Sequence, residues 1–167
     1  MFSFVGAQSL DGLDNEYEYS MVGHSGSGPE AEQLIHWGEP PQGAKKRLQL
    51  LQKMAAHTQY CHPGDQTYEA TALAIKDVAA RPADERFVFI VSDADLARYG
   101  KRPEQWNAIL TSDPSVKAYA VLIGNAEQEA DRISAALDPG KGYMCTDTAE
   151  LASTFERIFQ ASVVHAA

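Results

Sequence analysis

The chain has 167 residues, enough for one domain with a substantial core. Hydrophobic residues make up 44% and charged residues 22%, the make-up of an ordinary globular protein rather than a disordered or membrane-embedded one. A net charge of −9 gives no basic footprint for phosphate groups, which excludes nucleic acid and anionic membrane as main partners.

No apolar run approaches the roughly 20 residues of a membrane span. Residues 1–15 contain no Lys or Arg, so neither a secretory n-region nor an Arg-rich transit peptide is present. Cys61 and Cys145 are expected to be reduced thiols of an intracellular protein.

Residues 1–16, with Phe2, Val5, Leu10 and Leu13, read as the tail of a helix running into an acidic turn. The alternating, β-prone stretch 17–23 predicts a strand. Residues 24–43 are dense in Gly, Ser and Pro and predict a long loop, with LIHW (34–37) as a short edge strand. Leu48, Leu51, Met54 and Ala55 recur at helical spacing and predict a helix over 45–58. A turn follows at 61–65, then a second helix over 67–80 whose apolar stripe is Ala70, Leu73, Ala74 and Val78.

The unbroken run FVFIV, residues 87–91, suits a strand buried on both faces of a parallel sheet. It ends in Ser92-Asp93-Ala94-Asp95, and in an open α/β sheet ligands bind beyond the carboxyl ends of the strands. Asp93 or Asp95 there either caps the short turn 96–99 or holds a cation or substrate group. Pro103 opens a helix carrying Trp106, Ile109 and Leu110, which stops at Asp113-Pro114. Residues 118–124 form another buried strand, 127–137 a helix, 143–145 a last short strand, and 148–162 the final helix with Leu151, Phe155, Ile158 and Phe159 on its apolar face. Strands alternating with helices mean a doubly wound, mainly parallel, Rossmann-like α/β sheet. The division is residues 1–16 as helix remnant and linker, 17–164 as the domain, and 165–167 as tail.

Several chemistries can be weighed from residue types and spacing. Thr67 opens a helix and Asp93 ends the adjacent strand; a hydroxyl and a carboxylate form half of an oxygen site for Mg²⁺. Thr67 is equally placed as a helix N-terminal residue capped by Asp65. His57, Cys61 and His62, with distant His24, match no zinc-ligand spacing, and a helix-end histidine beside a buried thiol is the simpler account. Val22-Gly-His-Ser25-Gly-Ser-Gly28 is close to a nucleophile elbow, but Ser27 stands where the elbow needs glycine. Pro29 and a loop then replace the following helix, and the single histidine after Asp93 is His165. A serine hydrolase using Ser25 is therefore the lesser alternative. GxxxxGK[ST] and GxGxxG are both absent, so no nucleotide site is encoded by motif.

A helix beginning Asp65-Gln-Thr67, followed by an apolar strand ending Ser92-Asp93, resembles the von Willebrand factor A (vWA) fold. VGHSG (22–26), HTQYC (57–61), FVFIVSDADLARYG (87–100), DPSV (113–116) and Asp147-Thr148 extend the likeness over about 17–164. The closest resemblance is to vWA domains at the C-terminal end of large intracellular proteins that carry AAA-type ATPase modules and are mitochondrial in animals. It implies a non-catalytic protein-interaction module with a metal-ion-dependent adhesion site. That site takes Thr67 and Asp93, with Ser25 and Asp95 as weaker neighbours. Mg²⁺ there would bridge to a partner carboxylate, and the AAA-type ATPase modules of a parent would be further partners.

One departure bears on all of this. The family's first strand, in mid-sheet, carries DxSxS, and no DxSxS occurs in this chain. Ser25-Gly-Ser27 has the serine spacing without the Asp. The expectation is an N-terminally incomplete vWA sheet and a degenerate site whose Mg²⁺ affinity is weak or lost, since water must replace the absent ligands. The alternative is a metal-free structural pseudo-domain. A sheet lacking its middle strand must re-pair the neighbours or leave backbone groups unpaired.

Overall fold

A computed structural model describes residues 17–24, 32–60, 65–93, 95–123 and 127–164. The remaining residues, among them Ser25, Cys61, His62 and the 1–16 and 165–167 segments, lie outside the described set.

The strands are β1 (Met21–Gly23), β2 (Glu32–Ile35), β3 (Phe87–Ser92), β4 (Lys117–Ile123) and β5 (Gly142–Cys145). The helices are α1 (Gly43–Tyr60), α2 (Thr67–Ala79), α3 (Pro103–Leu110), α4 (Glu127–Ala136) and α5 (Leu151–Val164). β3, β4 and β5 form a parallel sheet in that order, Phe87 facing Lys117 and Ala120 facing Gly142 in register. Parallel neighbours need a crossover, and α3 and α4 supply the two. Helices cover both faces, as a doubly wound fold requires.

Side-chain alternation divides the sheet between two cores. Val88, Ile90, Ala118, Ala120 and Leu122 face α2, α3 and α4, where Trp106, Leu110 and Ile133 are fully buried. Phe89, Val91, Tyr119, Val121 and Cys145 face α5 and meet Leu151, Phe155 and Ile158. The Cys145 thiol is free and buried, donating to Thr154 Oγ1 at 3.3 Å.

A smaller unit stands beside this sheet. β1 and β2 pair antiparallel, and α1 packs Leu50 and Met54 onto Leu34 and Ile35. Among the described residues neither strand pairs with β3. The two units are bridged at α2. Trp37, just after β2, donates its Nε1 proton to Asp77 Oδ2 at 2.8 Å, and the Arg81 guanidinium lies 4.0 Å above its indole ring.

Four local expectations are corrected. The strand expected over 17–23 is confined to Met21–Gly23, and the edge strand runs over Glu32–Ile35 rather than 34–37, since the chain turns at Trp37 and Gly38. On α1, Leu48 and Leu51 are 57% and 44% exposed; the sheet lies against Leu50 and Met54 instead. On α2, Leu73 is 50% exposed and the buried face is Thr67, Tyr68, Thr71, Ile75 and Val78. Both helices carry two adjacent apolar stripes, and spacing alone does not say which one meets a sheet.

Candidate functional site at the carboxyl edge of the sheet

α2 precedes β3 and lies against it antiparallel, so Thr67 at the helix start and Asp93 after the strand fall at the same end of the molecule. The loop from β3 to α3 is held onto the first turns of α2 by three contacts, and Trp106 of α3 adds a fourth. The Tyr68 hydroxyl donates to the Arg102 carbonyl at 2.6 Å, and the Lys101 ammonium sits 4.5 Å over the Tyr68 ring. Lys101 also pairs with Glu69 at 2.9 Å. Deeper in, Trp106 Nε1 donates to Thr71 Oγ1 at 3.0 Å, while that hydroxyl donates to the Thr67 carbonyl at 2.6 Å. Burial, with the negative charge of Asp65 and Glu104 nearby, pushes the Tyr68 phenol up to about 12, so it remains a donor at any physiological pH.

Thr67 is 2% exposed, and its N–H donates to Asp65 Oδ1 at 2.6 Å. Asp65 thus caps α2 as the sequence allows, satisfying one of the four orphan donors of a helix start. Asp93 is exposed and its Oδ1 accepts the Asp95 N–H at 3.4 Å, closing a local turn. Asp95 leans to Arg98, 3.6 Å away. Asp93 and Asp95 therefore shape the turn leading into the 3₁₀ segment Ala97–Tyr99, whose entry is anchored by fully buried Leu96. Ser25, the remaining candidate, lies outside the described residues.

Two histidines join this edge that spacing had offered only as zinc ligands. His24 directly follows β1 and is half-buried. Burial holds its imidazole below the ordinary value of 6.5; Asp65 and Asp93 oppose that shift and the neighbouring His57 adds to it. His57 Nε2 lies 3.3 Å from the His24 carbonyl oxygen. It also presses on Gly23, where a Cβ would stand 2.9 Å from that same nitrogen. The blunt end of β1 thus needs glycine for close approach, and His57 acts as a packing residue.

A depressed imidazole pKa has a signed consequence for stability. Between the folded value and 6.5 the unfolded chain binds more protons than the folded one, so stability is complete above pH 6.5 and falls as the pH drops below it. Thermal melts from pH 7.5 to 5 are expected to show this decline, and His24→Gln is expected to flatten it. An unchanged slope in the variant would assign the decline to other groups.

Among the described residues the donor set does not complete an Mg²⁺ site. Among the described residues no group of three His, Cys, Asp or Glu side chains stands close enough to hold a metal ion. Thr67 and Asp93 are two oxygens where an octahedral ion takes six, and the Thr67 side chain is almost wholly covered.

No family model matches the chain. It is, however, 37% identical over 157 residues to von Willebrand factor A domain-containing protein 8 of Mus musculus, an alignment covering 94% of this chain. This chain is a von Willebrand factor A-like domain. The parallel α/β sheet agrees with that family, and so does the fold expected from sequence. The chain spans 8% of the length of that relative. Outside the vWA-like edge, a cavity of about 540 Å³ lies between β2 and α1, bordered by Leu34, Pro40, Lys46 and Leu50.

Proposed function

We propose that this vWA-like domain is a non-catalytic module that binds a protein partner through its carboxyl edge. The observation that carries this reading is the edge itself: Asp65, Asp93 and His24 converge there from three loops, and the solvent-facing loop after Asp93 is clamped onto α2. An acidic surface on a chain of net charge −9 steers basic groups toward it. The relative's name denotes a protein that contains a vWA domain, and the chain spans 8% of its length, which supports a domain serving a larger protein; the family resemblance of the sequence extends the proposal to an AAA-type ATPase assembly, mitochondrial in animal cells.

The test is capture by the immobilised chain, compared with Asp93→Ala. Loss of specific partners in the variant, with its melt unchanged, supports the reading; identical partners at identical yield overturn it. Ser25 labelling by a fluorophosphonate probe would instead favour the hydrolase.

Metal is a separate question, and the buried Thr67 hydroxyl together with the self-contained Asp93 turn favours a metal-free edge. A ligand at a concentration near its Kd stabilises the fold by roughly 0.4 kcal/mol, or about 1 °C in a domain of this size. Millimolar Mg²⁺ is expected to move the melt by no more than that. A larger shift, lost in Asp93→Ala, would restore the metal-bridged mode of partner binding.

A further inference from the structure

α1 carries two apolar stripes, and the fold covers one of them. Leu50 and Met54 are buried against Leu34 and Ile35. Ala44, Leu48, Leu51 and Ala55 are all exposed, and Leu48 is the most open large apolar side chain among the described residues. Their spacing of four, three and four is the a/d repeat of a coiled-coil seam, which runs along one side of a helix. The seam is roughly 16 Å long, about three turns. Lys45 and Arg47 stand on either side of it, at the e and g positions that flank such a seam and set its choice of partner.

Charge on this helix runs against the rest of the chain. The protein holds 14 Lys and Arg against 23 Asp and Glu, yet α1 bears four cations and no acid. Three of the four, Lys45, Lys46 and Arg47, fall within its first five residues. A helix start carries the positive end of the macrodipole, so cations there cost stability and a nearby anion restores it. Lys45 enters no ion pair among the described residues. The basic end of α1 therefore calls for an anion on both counts.

Seam and charge together select the occupant. A second copy pairing α1 with α1 would set cations against cations in parallel and would offer them no acid in either direction. An amphipathic helix seated in an anionic bilayer needs a wide apolar face with Trp or Phe, whereas this seam is two leucines and two alanines. We infer that the outer face of α1 docks an acidic amphipathic helix of a partner protein. Its apolar side chains seat along Leu48 and Leu51, and its carboxylates lie beside Lys45 and Arg47. His57, near the far end of α1, is the part of this helix that reaches the carboxyl edge. The basic end of the seam lies away from it, so this docking needs neither Asp93 nor a metal and stands or falls apart from the reading above.

Titration calorimetry on the whole chain tests it with two peptides of about three heptads, long enough to be helical. Both carry leucine at a and d; one has glutamate at e and g, the other lysine. The glutamate peptide is expected to bind at least about tenfold more tightly than the lysine peptide, with a gap that narrows as salt is added. Lys45→Glu is expected to narrow it too, and Asp93→Ala to leave it unchanged. Leu48→Gln combined with Leu51→Gln is expected to weaken the glutamate peptide about tenfold. Glutamine matches leucine in helix propensity and the leucines are exposed, so this double variant should melt within about 2 °C of wild type.

Equal affinity for the two peptides overturns the proposal, as does no binding at roughly 1 mM or binding that the double variant keeps. A larger fall in the double variant's melt overturns it by showing the leucines already covered within the chain. Two further results, each abolished by the double variant, overturn it by naming another occupant. Self-association of the free chain gives the seam to a second copy, and binding to phosphatidylserine vesicles gives it to a membrane.

Discussion

Trp106→Ala is expected to lower stability by about 3–5 kcal/mol, the cost of emptying a fully buried aromatic site, and so to lower the melting temperature by roughly 10 °C or more. The indole is 0% exposed, stacks on Tyr68 with ring centroids 6.1 Å apart, and donates to Thr71. Removing it opens a cavity where α2, α3 and the sheet meet, and releases the hydroxyl that also bonds the Thr67 carbonyl. The loop bearing Asp93 is tied to the same turns of α2, so the carboxyl edge should loosen with the core. Thr71→Val separates the two contributions. It keeps the volume but leaves the buried indole N–H without its acceptor, a loss of about 1–3 kcal/mol. A Trp106→Ala chain melting within 2 °C of wild type would mean this junction is not where the fold is held (a shift of about 1 kcal/mol or less).

Phe89→Ala is the second large effect, and it probes the opposite face. The Phe89 ring packs against Phe155 at 5.0 Å, Phe159 at 5.2 Å, Tyr119 at 5.7 Å and Phe87 at 6.2 Å between centroids. Being half-buried, it should lose less than a fully enclosed phenylalanine, about 2–3 kcal/mol. α5 reaches the sheet through Phe155 and Phe159, so its amides should lose protection before those of α3 do. Phe89→Leu keeps apolar area without the ring geometry and should recover all but about 1 kcal/mol. Equal loss of protection across α3 and α5 would show the two cores unfolding as one unit, not face by face.

Much of the architecture was legible in the residues. FVFIVS and KAYAVLI are too apolar and β-branched to be anything but strands covered on both faces, and Pro103 marks a helix start by its fixed φ and missing N–H. The cap at α2 was equally legible, because Asp two residues before a helical N–H has few other uses. The faces of α1 and α2 were not legible. Leu48, Leu51 and Leu73 are as apolar as Leu50 and Ile75, and which stripe is covered depends on where β2 and β3 lie. That Thr67 and Asp93 fall at one end of the sheet was legible, but the surroundings of that end were not. Nothing in the spacing of His24, His57 and Asp65 announces that they share one edge, and it takes the β1 end, the α1 end and the α2 start to bring them there.

The sequence by itself determined the alternation of strands and helices, the parallel order that alternation forces, and the absence of DxSxS. Those depend on local periodicity and residue identity, which the chain carries wherever it folds. Only the tertiary structure decided that β1 and β2 pair apart from β3 among the described residues, that Thr67 is sealed while Asp93 is open, and that the histidines pack beside the acids. These are contacts between residues far apart in the chain, set by how α2 bridges two units; no local pattern encodes which distant groups a bridging helix will bring together.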